Sequence, residues 1–135
     1  MKEVCAIIRM NMMNKTKRAL AEAGIVSLTA QKVIGRGKGK VDYLLLQGAA
    51  DGYEEAINQL GPGPKFIPKR MITMILPDGL VETAVSVIIQ VNQTGNPGDG
   101  KIFILPIREA VRVRTGETGD EVLDEMPLEA EGVTP

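Results

Sequence analysis

The sequence predicts an α+β domain, a βαββαβ sandwich in which an antiparallel sheet carries both helices on one face. Three observations lead there. Short runs rich in β-branched residues alternate with stretches at helical spacing; this strand-helix-strand pattern occurs twice in tandem, over residues 3–34 and again over 70–114; and 135 residues suffice for one core but not two. Seven Met, two Phe, two Tyr and no Trp make that core aliphatic. Stacking platforms for single-stranded nucleic acid are excluded on the same ground.

In the first half, Glu3-Val-Cys-Ala-Ile-Ile-Arg9 reads as a strand, and its near-continuous hydrophobicity suggests cover on both faces. Asn11 or Asn14 is placed to cap a helix running to Ala23. Met13, Thr16, Leu20 and Ala23 fall at helical spacing, Lys15, Lys17, Arg18 and Glu22 face water, and Gly24 ends the helix. Ile25 to Ile34 makes the second strand. In the second half, Arg70 to Leu76 is a strand, Asp78 caps the next helix, and Val81, Ala84, Val85, Ile88 and Val91 form its apolar face. Lys101 to Ile107 and Ala110 to Arg114 supply the closing strand, interrupted near Pro106, which cannot donate to a ladder. Two such halves close as a ferredoxin-like sandwich. The sheet's other face then needs cover, and a second copy of so small a chain is the economical one, so an oligomer is expected.

Residues 35–67 between the halves far exceed an ordinary connection, which marks a functional or disordered loop. It opens Gly35-Arg-Gly-Lys-Gly-Lys40, carries an apolar run Val41–Leu46 and a helical pattern around Glu54–Leu60, and ends Gly61-Pro-Gly-Pro-Lys65. Residues 118–135 hold six carboxylates and no Lys or Arg, so a formal charge of −1 conceals a body of +5. Such a body suits small anions, while the tail reads as a solvated, flexible extension. The basic residues form no continuous stripe of the kind nucleic acid requires. One cysteine, Cys5, excludes an internal disulfide and reads as buried and inert; without His, a transition-metal site has too few ligands. No signal peptide or apolar run of the ~18 residues a membrane span needs is present, so a soluble, cytoplasmic protein is expected.

The stretch with the most chemistry is Thr94-Gly-Asn-Pro-Gly-Asp-Gly-Lys101. Gly95, Gly98 and Gly100 can take positive φ and turn consecutive amides inward as an anion nest, with Lys101 at its end. Arg112 and Arg114, alternating on a strand, would project two guanidinium forks from one face, a set suited to a polyphosphate. By itself Gly-Asp-Gly-Lys is also an ordinary turn into a strand, and neither a Walker loop nor a dinucleotide fingerprint is present.

Thr94 to Phe103 together with Arg112-Val-Arg-Thr-Gly-Glu117 resembles the carboxy-terminal signature of the PII signal-transduction proteins, and the similarity runs from Met1 to about Lys38 and from about Pro68 to Glu117. The resemblance implies a trimer of ferredoxin-like subunits, ATP or ADP in the clefts between neighbours, 2-oxoglutarate as effector, and a long loop projecting into a target. It assigns Gly35, Arg36, Gly37 and Lys38 to the loop base, and Gly98, Asp99, Gly100 and Lys101 to the phosphate-facing loop. Arg112 and Arg114 would reach the nucleotide across the subunit boundary, Thr29 would lie near the adenine, and Lys69, with Gly39 and Lys40 nearby, would meet 2-oxoglutarate. Gly39 and Lys40 replace the family's magnesium-binding Gln, so magnesium would be held by phosphates, water and 2-oxoglutarate, or by a loop residue such as Gln47. Gly48-Ala-Ala-Asp51 stands where a uridylylated tyrosine is expected, although Tyr43 and Tyr53 are present. The loop base and Val91 to Gly100 look most like the PII-like proteins encoded with nitrogenase in archaea and some anaerobic bacteria. That implies a regulator inhibiting dinitrogenase when nitrogen is sufficient, as a homotrimer or with a companion paralogue. Two alternatives compete: a slow nucleotidase using Asp99 as base, and a nucleotide-free oligomer of the copper-tolerance type.

Overall fold

A computed structural model of the chain describes residues 1–37, 52 and 66–125. Lys38, Gly39, Lys40 and Gln47, the apolar run 41–46, the helical pattern 54–60 and the tail from 126 lie outside the described residues. The elements run β1 (Lys2–Arg9), α1 (Met13–Glu22), β2 (Thr29–Gly35), β3 (Ile67–Leu76), α2 (Asp78–Asn92) and β4 (Lys101–Pro106). They form a four-stranded antiparallel sheet in the order β2-β3-β1-β4 with two helices, the βαββαβ arrangement. β1 is central, with Ala6 opposite both Ile72 and Ile102, and β2 and β4 are the edges.

Alternation along the strands decides which side is core. Val4, Ala6 and Ile8 of β1 and Ile72, Met74 and Leu76 of β3 are buried, and they share one cluster with Leu20 of α1 and Leu80, Ala84 and Ile88 of α2. Each fully buried aliphatic side chain contributes about 1.5–3 kcal/mol relative to exposure. The intervening residues Cys5, Ile7 and Met71, with Phe103 and Leu105 of β4, lie on the opposite face, where Phe103 is 48% and Leu105 43% exposed. Cys5, expected to be buried, is therefore only partly covered, because its parity directs it away from the helices.

Both helices begin differently from expectation. A single 3-10 turn, Met10–Met12, precedes α1 and satisfies the Met13 amide through the Met10 carbonyl, so neither Asn11 nor Asn14 serves as cap. The end of α1 follows the sequence reading. Gly24 takes φ 91°, the Ile25 amide donates to Leu20 O at 2.8 Å, and the Gly24 amide donates to Ala21 O at 3.0 Å. This is a Schellman termination in which Ile25 and Leu20 also join the core. Pro77 occupies the cap position of α2. Asp78 lies within the first turn, where its carboxylate favours the helix dipole and takes the N-terminal ammonium and Lys2 Nζ, each at 3.1 Å. Asn92 ties the helices together, donating to Thr16 Oγ1 at 3.0 Å and Ile88 O at 2.9 Å.

The second and fourth strands are shorter than read from sequence. Residues 25–28 stay irregular before β2, and β4 stops at Pro106. Ala110 to Arg114 does not resume the strand. Val111 bridges to Thr118, Arg112 N donates to Glu117 O at 2.8 Å and Gly116 N to Arg112 O at 2.7 Å, with Gly116 at φ 76°. Arg112 and Arg114 thus belong to a turn, not to one face of a strand. In the acidic extension, read as solvated, Asp120, Glu121 and Asp124 are exposed, while Glu125 is only 7% exposed. Among the described residues no helix is long and apolar enough to cross a membrane.

At the entry to β4 the chain crosses the end of β1 so closely that a Cβ on Gly100 would stand 2.0 Å from the Ile7 carbonyl oxygen, and Gly100 itself has φ 117°. Gly100→Ala is expected to cost on the order of 3 kcal/mol in denaturant unfolding, the sum of an unfavourable backbone conformation and a forced shift of β1. Gly95→Ala, at φ 85° with open space around it, is expected to cost about 1–2 kcal/mol. Equal effects would show that the contact with Ile7 is not what demands glycine.

Candidate functional site

The loop joining α2 to β4 is held from within by one carboxylate. Asp99 Oδ2 accepts the amides of Thr94 (2.8 Å) and Gly95 (3.0 Å), while Oδ1 accepts the Thr94 hydroxyl and Arg9 Nη1, the latter at 2.7 Å. The second nitrogen of the same guanidinium, Arg9 Nη2, donates to Pro97 O at 3.0 Å. Arg9 ends β1 with its side chain only 7% exposed, so it acts as a pin driven through the loop from the sheet. Its register partner on β3, Lys69, donates from Nζ to Gly98 O at 2.9 Å. Two adjacent strand ends thereby fix two successive carbonyls of the loop.

Gly95, Gly98 and Gly100 all have positive φ, as the sequence suggested, at 85°, 100° and 117°. Lys101 follows, exposed, at the first position of β4. At the same end of the sheet, Gly35 closes β2 opposite Ile67, and the exposed Arg36 places its guanidinium 5.4 Å from the centre of the Phe66 ring. Gly35, Arg36, Gly37, Lys69, Gly98, Asp99, Gly100 and Lys101 are thus assembled at one end of one chain. Asp99 is already committed to four donors. Burial of its carboxyl pushes the pKa up, but the Thr94 hydroxyl and amide, Arg9 and the Gly95 amide together pull it well below the usual carboxylate range.

The remaining candidates lie at the other end. Thr29 opens β2 opposite Thr73 and borders a cavity of about 360 Å³ lined also by Ser27, Leu28, Ile75 and Val122–Glu125. Arg112 follows the far end of β4, past Ile107, whose amide donates to Met1 O at 3.2 Å. It meets Glu117 Oε1 at 2.7 Å and Glu121 O at 3.3 Å. Hydrogen bonding from Thr115 and the charge of Arg112 lower the Glu117 pKa. Arg114 is exposed in the same turn. Between Lys101 and Pro106 the six residues of β4 span about 17 Å at the usual strand rise. Lys101 opens β4, whereas Arg112 follows its far end.

Sequence reasoning missed Arg9 and Glu125. The only local sign of Arg9 was a charged residue closing an apolar strand, and Glu125 lay in a run of carboxylates with nothing to separate it from its neighbours.

Because the folded-state pKa of Asp99 is depressed, its stabilising contribution is complete above the unfolded value of about 3.9 and is lost as pH falls through the lower folded value. Asp99→Asn is expected to cost about 3 kcal/mol at neutral pH, since it leaves a buried Arg9 without its counter-charge, and to flatten the acid limb of a stability-pH profile. An unchanged acid limb would contradict the assignment of the loop's lock to this carboxylate.

Comparison with known proteins agrees with this architecture. The family model described as nitrogen regulatory protein P-II matches residues 1–117. A nitrogen fixation nifHD region GlnB-like protein 2 from Methanobacterium ivanovii is 42% identical over 123 residues, covering 91% of this chain and 99% of its own length. Its counterpart from Methanothermococcus thermolithotrophicus is 43% identical, covering 89% of this chain and 96% of its own. A nitrogen regulatory protein P-II from Cereibacter sphaeroides is 38% identical, covering 91% of this chain and all of its own. The chain therefore belongs to the nitrogen regulatory protein P-II family and is a regulatory protein, not an enzyme.

Proposed function

We propose that this chain is a trimeric sensor that holds ATP or ADP between neighbouring subunits, takes 2-oxoglutarate beside the phosphates, and transmits their occupancy through residues 35–67 to a target. The observation that carries the reading is the separation of Lys101 and Arg112 by the length of β4. Both residue types suit polyphosphate, yet they converge only if Lys101 comes from one chain and Arg112 from its neighbour. The surface has what such an assembly needs. Both edge strands and the helix-free face are exposed, with Ile34 65%, Phe103 48% and Leu105 43% accessible.

The donor set fits the ligands. Loop amides at positive-φ glycines, Lys101 and Arg36 supply hydrogen bonds and positive charge to phosphates, and Lys69, already touching Gly98, stands where a dicarboxylate could meet both loop and lysine. Magnesium, if it accompanies ATP, would rely on ligand oxygens, because the carboxylate of the glycine loop, Asp99, is consumed by Arg9, Thr94 and Gly95. The same commitment deprives a nucleotidase of its base. The relatives' names, which refer to a nitrogen fixation region, support dinitrogenase as the target, inhibited when nitrogen is sufficient. Switching requires only that the effectors favour one loop state over another, with coupling of about 1–3 kcal/mol typical.

Lys101→Ala and Arg112→Ala are each expected to weaken ATP binding at least tenfold in calorimetry, about 1.4 kcal/mol, with the oligomer intact. Co-assembling the two variants in equal amounts should restore about a quarter of the sites, since one interface in four would join an intact Lys101 to an intact Arg112. No restoration in mixed oligomers would overturn the shared site. Binding of dinitrogenase that is insensitive to 2-oxoglutarate would overturn the proposed switch.

A further inference from the structure

One wall of the cavity at Thr29 is built from residues beyond 117, where the family model's match ends. Val122, Leu123, Asp124 and Glu125 face Ser27, Leu28 and Thr29 across that cavity, with Thr73 and Ile75 of β3 at its floor. What holds the wall is Glu125. Its Oε1 accepts the Ser27 amide at 2.8 Å and the Val26 amide at 3.0 Å, and the residue is 7% exposed, whereas Asp120, Glu121 and Asp124 are exposed. These two amides sit between the Schellman end of α1 and the first pairing of β2, so neither the helix nor the sheet supplies them an acceptor. Val26 and Ser27 are exposed residues, so the buried partner is the Glu125 carboxylate, and a buried carboxylate shared by two backbone amides is a strong, charge-assisted arrangement.

We infer that residues 122–125 form a C-terminal clasp that completes the nucleobase pocket, with Glu125 as its latch. The inference rests on the nucleotide reading above and adds to it a specificity-determining wall. The clasp keeps Leu28 and Thr29 in place and narrows an otherwise open groove to a slot for a planar base. Two half-sites then divide the labour. The glycine loop, Lys101 and Arg112 address phosphates, while the clasp addresses the base. Arg112 is held by Glu117 Oε1 as well as by the Glu121 carbonyl, so a phosphate-only ligand should depend far less on Glu125 than ATP does.

The test uses the full chain, with ATP and inorganic tripolyphosphate as probes in calorimetry, and hydrogen exchange at Val26 and Ser27. Glu125→Ala is expected to weaken ATP about tenfold, to leave tripolyphosphate within about twofold, and to expose both amides to exchange. Glu125→Gln, which keeps an acceptor but not the charge, should fall between Ala and wild type. Unchanged ATP affinity in Glu125→Ala would overturn the clasp, as would equal losses for ATP and tripolyphosphate, which would mark Glu125 as merely structural. A wild-type chain that binds tripolyphosphate and ATP equally well would also overturn it, because no base pocket would then exist. A wild-type chain that binds neither probe would remove the nucleotide reading itself, and this inference with it.

Discussion

The Arg9–Asp99 pair is the constraint from which the site follows. A guanidinium buried at the end of the central strand must be matched by a counter-charge, and the residue that supplies it lies 90 positions away in the loop after α2. Once Asp99 turns inward to meet Arg9, its second oxygen is free to gather the amides of Thr94 and Gly95, and the loop closes on itself. Gly98 and Gly100 must then take positive φ, and Gly100 must lie against the Ile7 carbonyl with no room for a side chain. Burial of one ion pair thus sets the direction in which Lys101 leaves the loop.

The sheet distributes what the loop does not provide. Antiparallel pairing places Arg9 beside Lys69 at one end and carries the chain along β4 to the opposite end before Arg112 appears. The separation is a consequence of topology, since the single traverse of β4 lies between the two cationic groups. Under the proposed function it leaves each subunit with two half-sites, and it links the proposed ligand chemistry to the proposed oligomer: whatever is bound by both halves must also hold chains together. Phe103 and Leu105 on the helix-free face are turned away from both helices of the described residues and remain exposed.

At that far end, the chain settles its accounts with side chains where regular structure stops. Arg112 and Glu117 close a turn after Pro106 has ended the ladder, and Glu125 satisfies two amides that fall between a helix and a strand. The second device uses a carboxylate that composition assigned to a solvated tail. Charge in bulk suggested repulsion and disorder, whereas position decided that one carboxylate had backbone donors within reach.

The sequence by itself determined the order of elements, part of the aliphatic core face of each helix, the glycine termination of α1, and the positive-φ glycines of the loop. Each of these is written in local spacing or in a residue's own conformational range. It also carried the family, since Thr94 to Phe103 and Arg112 to Glu117 are contiguous strings. Tertiary structure alone decided the parity that leaves Cys5 on the open face, the turn in place of a strand at Arg112, the burial of Glu125 and the use of Arg9 as the loop's pin. The reason is physical: a side chain's partner is a matter of distance in space, and an arginine on one strand meets an aspartate 90 residues later only after the whole sandwich has closed around both.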